Sequence, residues 1–191
     1  EERDRAQALL SLLKGMILQA DPTSASRHVT MLDALSSIES RTPRDLRGQP
    51  RIEADVRTAL GGMFFALAEY GRARTHFERA IEIRGAVGDH ARRIDDQIQL
   101  ANTLRWLYLP DEARLLIERT RNESVRRLGN AHATTLQATA VLAGCAHDEH
   151  MLAESEAAYR DVVTRSARSL GLTHEQTLHA RSGLASVLID S

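Results

Sequence analysis

The segment His147 to His150 carries the residue types in this sequence that are closest to a metal site. Its order His-Asp-Glu-His places two imidazoles and two carboxylates in succession, and zinc uses both kinds of ligand. A closed site needs further ligands in fixed geometry, and no third partner stands close by in the sequence. The segment also falls at a predicted turn between two helices. Polar turn residues are therefore favoured over a metal site.

Four carboxylates could in principle supply general acid or base groups: Glu53, Asp55, Asp95 and Asp96. Such chemistry requires a nucleophile, a carboxylate pair with a raised pKa or a histidine partner at a suitable spacing. The sequence indicates none of these beside the four residues. They are therefore predicted to belong to a solvated face.

The single cysteine and a set of regularly spaced histidines have structural explanations that are favoured over reactive ones. Cys145 lies in an apolar stretch and is predicted to be a core residue rather than a reactive thiol. His90, His132 and His174 are 42 residues apart, which could suggest a pH-sensing ladder. An imidazole at the start of a helix can also hydrogen-bond the neighbouring turn, and this structural role is the preferred interpretation.

An internal repeat determines where all these residues must lie. A large apolar residue precedes a small one at intervals of 40, 42 and 42 residues, in the pairs Leu60-Gly61, Leu100-Ala101, Leu142-Ala143 and Leu184-Ala185. A small and then a large residue follow on one helical face, at Ala73 and Phe77, Ala113 and Ile117, and Ser155 and Tyr159. Glycines at 88, 129 and 171 end each unit and precede the next helix. This pattern predicts pairs of closely packed helices with turns near Gly71, Gly88, Pro110, Gly129, His150 and Gly171.

Composition excludes several classes of protein. The 191 residues are 42% apolar but only 4% aromatic, which suits a helical solenoid with a continuous core seam. A formal charge of −1 argues against nucleic acid as the main partner, because phosphate binding needs concentrated positive charge. No apolar run reaches the length of a membrane span, so no membrane contact is expected from this sequence.

The region before the repeats is predicted to contain two helices and a linker. Arg5 to Ala20 has apolar residues at helical spacing, and a second, shorter helix begins at a Thr30 cap and runs to Glu39. Arg41 to Gln49 is a basic linker, and Pro50 suits the first turn of the first repeat helix. The expected domains are residues 1–49 and the repeats 50–191, divided into 50–89, 90–130, 131–172 and a partial unit 173–191. The start of the sequence is expected to be an excised fragment of a longer protein.

The repeat resembles the tetratricopeptide repeat (TPR). The order of small and aromatic residues in Gly61, Phe64, Ala73, Phe77 and Ala80 matches that family, although repeat two departs from it at Pro110 and Thr120. The 42-residue period and the segments LGNAHATTLQATAVLA and LGLTHEQTLHARSGLA are similar to the long-helix subclass found in kinesin light chains. The resemblance implies an all-α, right-handed superhelical solenoid of antiparallel helix pairs, with the two N-terminal helices in front of it.

A second resemblance concerns roughly residues 1–85. LLSLLKGMILQADP and QPRIEADVRTALGGMFFALAEYGRARTHFERAIEI are similar to the region that follows the catalytic domain in a class of bacterial Ser/Thr protein kinases. In that class a single transmembrane helix often precedes this region and would tether it to a membrane. Related extensions follow transcriptional regulators and signalling ATPases. The kinase motifs themselves are absent from the sequence, so the region is expected to be non-catalytic and to need no cofactor.

The TPR resemblance also implies a binding groove lined by the first helix of each repeat, which would hold a peptide or a partner protein. Its register assigns to the groove Asp55, Thr58, Gly62, Phe65, Asp95, Ile98, Asn102, Arg105, Trp106, Gln137, Ala140, Gly144, His147 and Asp148. Arg105 and Trp106 have the types most enriched among interface hot spots. Trp106 could equally be a core residue wedged against Leu116 or a neighbouring repeat.

The C-terminal helix suggests the alternative function, a self-association or scaffold domain. Thr173 and Gln176 are predicted to form a capping box. Leu178, Leu184, Ala185 and Leu188 then form an apolar face for which the sequence contains no second helix. Solenoid ends without a polar cap expose packing surface, so this face is expected to meet either another protomer, which would give a homo-oligomer, or residues missing from the sequence.

Overall fold

A computed structural model describes residues 31–191, and this part of the chain contains eight α-helices and no β-strand. The helices are α1 Met31–Asp45, α2 Pro50–Ala66, α3 Tyr70–Ala86, α4 His90–Trp106, α5 Pro110–Leu128, α6 Ala133–Asp148, α7 Leu152–Ser169 and α8 Glu175–Asp190. The predicted all-α solenoid of helix pairs is confirmed, with seven helices from Pro50 onward. The helix predicted at Arg5–Ala20 and the Thr30 cap lie outside the described residues.

Helices that follow one another in the chain pack against one another, and alternate helices form two layers. The layer of first helices contains α2, α4, α6 and α8, and each of them contacts the next member of the layer. The layer of second helices contains α3, α5 and α7. One continuous core cluster extends from α1 through α6, and two smaller clusters join α6, α7 and α8.

The small residues in the repeat pattern allow the two layers to approach closely. Gly61 on α2 faces the Phe77 ring on α3, and a Cβ at Gly61 would lie 2.8 Å from a carbon of that ring. Phe77 is itself buried, as are Leu60 and Ala73 beside it. A methyl group at position 61 could therefore be accommodated only if the helices moved apart.

The turns within the helix pairs use a left-handed residue that is not glycine. Ala68, Tyr108 and His150 have φ angles of 60°, 57° and 60°. In each turn the following amide reaches back five residues, as from Glu69 N to Phe64 O at 2.9 Å, which is the Schellman pattern. Gly71, near which the first turn was predicted, is the second residue of α3.

The turns between the pairs follow the predicted glycines. Gly88, Gly129 and Gly171 have φ angles of 71°, 85° and 103°. His132 and His174 cap the helices that follow, because their Nδ1 atoms accept hydrogen bonds from Thr134 N and Gln176 N, each at 3.2 Å.

The structural role of these two histidines is thus confirmed, whereas two details of the predicted helix starts are wrong. The capping box of Thr173 and Gln176 does not form, because α8 begins one residue later with His174 as its N-cap. His90 is already inside α4, where Asp89 is the cap and accepts a hydrogen bond from Arg92 N at 3.4 Å.

The helix α1 is longer than predicted. It continues through Pro43 to Asp45, so most of the predicted linker Arg41–Gln49 is helical or a tight turn. Packing accounts for the extension, since Thr42 is buried and Leu46, just after the helix, packs against the main core. Burial lowers the pKa of His76 on α3, whose Nε2 lies 3.1 Å from the Glu39 carboxylate of α1.

Replacing Gly61 and Gly62 by alanine should have opposite effects on stability. Gly61→Ala should lower the free energy of unfolding by about 1 to 3 kcal/mol, because the added methyl group overpacks against buried Phe77. Gly62→Ala meets no atom within 4 Å and should raise it by about 0.5 to 1 kcal/mol, since alanine favours helix. Urea denaturation of both variants checks this. Equal effects of the two substitutions would contradict the close-approach explanation.

Candidate functional site

A buried ion network joins the first two helix pairs. Arg84 on α3 is 3% exposed, and its Nε donates to Asp96 Oδ2 on α4 at 2.6 Å. Its two terminal nitrogens donate to Asp55 Oδ1 and Asp89 Oδ2, each at 3.0 Å. Thr58 Oγ1 donates to the other oxygen of Asp96 at 2.7 Å. Each of the three carboxylates thus accepts a hydrogen bond from Arg84.

The network corrects the prediction of a solvated carboxylate face. Asp96 is 1% exposed and lies in the contact between α3 and α4, whereas Asp95 beside it is exposed. Burial alone would lower the pKa of Arg84, but Asp96 and Asp55 outweigh it, so the pKa lies above its ordinary value. The guanidinium thus remains charged, and the surrounding carboxylates compensate that charge.

A second set of polar contacts links successive first helices near their C-terminal ends. Arg105 on α4 donates to both carboxylate oxygens of Asp148 on α6, at 2.6 and 3.1 Å. One repeat later, His147 Nε2 lies 2.8 Å from Asp190 Oδ2 on α8. Both pairs are 43 residues apart in the sequence, so the same position makes the same kind of link in two repeats.

Gly144 leaves the space that the Arg105 guanidinium occupies. A Cβ at position 144 would lie 2.3 Å from Arg105 Nη1, so a larger residue there would displace the guanidinium from its present place. Arg105 Nη1 also donates to Asn102 Oδ1 at 3.4 Å. Arg105 was predicted to be a groove contact for a partner, and it is already engaged in a bidentate ion pair.

A row of three aromatic rings takes the place of this polar link in the first repeat. Tyr70, the first residue of α3, stacks on Trp106 with ring centroids 5.6 Å apart and an interplanar angle of 20°. Phe65 meets the other side of Tyr70 edge-on, with the centroids 5.4 Å apart. Trp106 is 53% exposed, and Tyr108 in the following turn is 89% exposed. We refer to Phe65, Tyr70, Trp106 and Tyr108 as the aromatic edge.

The predicted groove residues therefore fall into three groups. The first group makes internal polar contacts: Asp55, Thr58, Arg105, His147 and Asp148. Ile98 is wrong as a groove residue, since it is 1% exposed and belongs to the main core, while Gly144 is buried beneath Arg105. The remainder are at least partly accessible: Gly62, Phe65, Asp95, Asn102, Trp106, Gln137 and Ala140. Of these, Asp95 accepts a weak hydrogen bond from Thr134 Oγ1 at 3.3 Å.

Sequence reasoning missed Arg84 as a network residue, and it missed Tyr70 and Tyr108. A signal for the network exists in the repeat, because Asp96 stands where the other units have Val56, Ala138 and Ala180, all buried. A carboxylate at an otherwise apolar position requires a buried partner. No comparable signal identifies Tyr108, which the turn holds in a left-handed conformation that glycine usually adopts.

The cysteine and the possible metal ligands considered from the sequence show no sign of a reactive site in residues 31–191. Cys145 is buried in the main core, and burial raises its pKa to about 11, so the thiol stays protonated at neutral pH. No group of three histidine, cysteine, aspartate or glutamate residues within residues 31–191 could hold a metal ion. The helices in the same part of the chain include none with the length and hydropathy of a membrane span.

Comparison with known proteins identifies the fold. No protein-family model matches the sequence, and no curated protein matches it. Two solved structures of TPR-like repeats from a Podosopora anserina kinesin light chain, one of them a point variant, do match. The TM-scores are 0.65 and 0.63, and the sequence identity is 18% in both cases. The alignments cover 98% of this chain and 84% and 85% of the two other chains. The chain therefore has the TPR-like fold of kinesin-light-chain repeats.

Replacing Arg84 should lower the free energy of unfolding far more than replacing an exposed arginine of the same helix. Arg84→Met should lower the free energy of unfolding by about 3 to 5 kcal/mol, because it leaves Asp96 buried without its cation. Arg79→Met is the matched control, since the Arg79 side chain is 44% exposed in its pair with Glu82, and it should cost less than about 1 kcal/mol. Denaturant unfolding monitored by circular dichroism compares the two variants. If the two variants lost similar amounts of unfolding free energy, the buried network would not be a main source of stability.

Proposed function

We propose that this chain is a protein-interaction module that binds a partner polypeptide on the layer of first helices, with Trp106 as the main anchor. The observation that supports this proposal is the exposure of Trp106 on a ring stack that already fixes its orientation. Tryptophan is among the residue types most enriched in interface hot spots. A ring fixed before binding loses little conformational entropy when a partner covers it.

The accessible groove residues determine how such a partner would be held. Asn102 and Gln137 are half-buried amides on neighbouring first helices, and Asp95 is an exposed carboxylate. Amide side chains can donate and accept hydrogen bonds, as an extended peptide backbone requires. Arg105 and Asp55 are already engaged in internal contacts. We therefore expect Asn102, Gln137 and Asp95, rather than Arg105 and Asp55, to contact the partner directly. The proposed site is thus a short polar track that ends at the aromatic edge.

We also propose that the module is the regulatory or sensor part of a bacterial signalling protein such as a Ser/Thr kinase. This step rests on the similarity of roughly residues 1–85 to the region that follows the catalytic domain in those kinases. Asp96 and His147, two of the residues considered for chemistry, make contacts within the described part of the chain. Sequencing the gene immediately upstream tests the proposal directly, and a coding region without any kinase, regulator or signalling ATPase domain would contradict it.

Trp106→Ala should weaken partner binding strongly while leaving the fold intact. Peptides selected from an unbiased displayed library against the wild-type chain should bind the variant about 30-fold more weakly or worse, since a hot-spot truncation costs about 2 kcal/mol or more. The thermal midpoint should change little, because the ring is half exposed and loses mainly its stacking on Tyr70.

Leu115→Ala is the matched control for that experiment. Leu115 on α5 is 52% exposed, close to Trp106, but it lies in the layer of second helices. Its truncation should leave peptide affinity unchanged. Selected peptides that bind the Trp106 and Leu115 variants equally well would refute the proposed site.

A specific observation favours self-association as a second candidate function. Leu178 and Leu188 on α8 are each 48% exposed. The equivalent residues of the preceding first helix, Leu136 and Ala146, are 0% and 1% exposed because α7 covers them. No helix within residues 31–191 covers this face of α8, which therefore presents apolar surface that a second copy could bury.

Leu178→Glu combined with Leu188→Glu should convert an associating chain into a monomer. If copies associate through α8, the wild-type sedimentation coefficient should rise with protein concentration and that of the double variant should not. The fold should tolerate both changes, because each side chain is about half exposed. Leu115→Glu serves as the control. A wild-type chain that stays monomeric throughout the concentration series would rule out this candidate.

A further inference from the structure

Two carboxylates without an ion partner in the described residues lie close in the sequence to the rings of the aromatic edge. Glu69 immediately precedes Tyr70, and Asp111 follows Tyr108 in the first turn of α5. Neither side chain forms a salt bridge or a hydrogen bond with another side chain in residues 31–191. Two negative charges without a cation thus stand beside exposed or partly exposed aromatic rings.

The arginines of the same region do not offset these charges. Each already pairs with another carboxylate, Arg72 with Glu39, Arg74 with Glu112, Arg105 with Asp148 and Arg114 with Glu149. In these pairs the positive charge is neutralised locally. A partner that approaches Trp106 therefore meets the uncompensated charge of Glu69 and Asp111 rather than that of the nearby guanidinium groups.

Two arginines without an ion partner in residues 31–191 lie at the other ends of the second helices. Arg126 and Arg168 occupy equivalent places in the last turns of α5 and α7, and both are exposed. Within the described part of the chain neither makes an ion pair. The charge difference between the two ends of the second helices gives a partner a preferred side, because complementary charge steers association and disfavours the wrong orientation.

We propose that the aromatic edge recognises a cationic polypeptide segment, with a lysine or arginine side chain over the face of Trp106 or Tyr108 and its charge near Glu69 and Asp111. A cation above an aromatic face is attracted by the ring quadrupole, most strongly for tryptophan. This inference rests on the proposed function, and it specifies the chemical class of the partner at the same site.

Helix electrostatics provide the competing explanation for the two carboxylates. Glu69 is the N-cap residue of α3 and Asp111 lies in the first turn of α5, where the macrodipole favours negative charge. A purely structural role predicts that neutralising them would reduce stability without changing ligand preference. The exposure of Trp106 and Tyr108 is not explained by that role. Binding and stability must therefore be measured on the same variants.

The single tryptophan of the chain makes occupancy of this site directly measurable. Three sets of twelve-residue peptides without tryptophan would be compared, with the same apolar residues and with four variable positions filled by Arg and Lys, by Asp and Glu, or by Ser and Asn. The cationic set should change Trp106 fluorescence at concentrations at least about tenfold lower than the other two sets. Raising the salt concentration should weaken this binding, because salt screens exposed charges.

Glu69→Gln combined with Asp111→Asn should weaken binding of the cationic peptides about threefold to tenfold and leave the neutral set unaffected. Glu82→Gln combined with Glu175→Gln is the matched control, since both side chains are well exposed and lie away from the aromatic edge. Trp106→Phe should retain part of the affinity, measured by anisotropy of labelled peptides, and Trp106→Leu should lose it. Thermal melts of every variant separate loss of binding from loss of folding.

Each outcome supports or overturns the inference. Equal or tighter binding of neutral or acidic peptides at Trp106 would overturn it and leave the proposed function standing. Cationic peptides that bind without changing Trp106 fluorescence would overturn it as well. Failure of all library-selected peptides to depend on Trp106 would overturn the proposed function itself, and the inference with it.

Discussion

The close approach of the two helices in each pair is the constraint on which the rest of this structure depends. At Gly61 the α2 backbone has no side chain, and the Phe77 ring of α3 fills that space. A single pair of helices cannot bury both of its faces, so each pair must also pack against the next. The same small and large residues return in later pairs, where Ala101, Ala113 and Ile117 are buried. The solenoid is the consequence of repeating that one contact.

Stacking the pairs brings the first helices side by side, and this determines what remains available to a partner. Two side-chain pairs link successive first helices, Arg105 with Asp148 and His147 with Asp190, so these side chains already have partners. A groove lined by these positions therefore offers fewer polar groups to a partner than its residue types suggest. The first repeat has Phe65 where the later repeats have Arg105 and His147, and its link runs through aromatic rings instead. Trp106 in that stack is 53% exposed, whereas both carboxylate oxygens of Asp148 already accept hydrogen bonds from Arg105.

The fold could be predicted from the sequence wherever the repeat itself carried the signal. The turns at Gly88, Gly129 and Gly171 and the helix start at Pro110 were predicted because glycine and proline restrict the backbone directly. The turns at Ala68 and Tyr108 use residues with no such preference, so tertiary packing of the flanking helices must impose their left-handed conformation. For the same reason α1 extends past Pro43, since contacts with α2 and α3 outweigh local helix-breaking signals.

The candidate site was harder to predict because a repeat specifies positions but not partners. Arg84, Arg126 and Arg168 are 42 residues apart and occupy one structural position. Only Arg84 is buried, because only its neighbouring first helix supplies Asp96, and the counterparts of Asp96 in the next units are Ala138 and Ala180.

Because the later repeats have alanine in place of Asp96, Arg126 and Arg168 lie at the surface and contribute positive charge to one edge. The Arg84 guanidinium needs Asp55, Asp89 and Asp96 in three directions at once, which fixes α2, α3 and α4 relative to one another. That rigid start of the solenoid includes Tyr70 and Trp106, at the beginning of α3 and the end of α4. The network therefore orients the two helices that carry Tyr70 and Trp106.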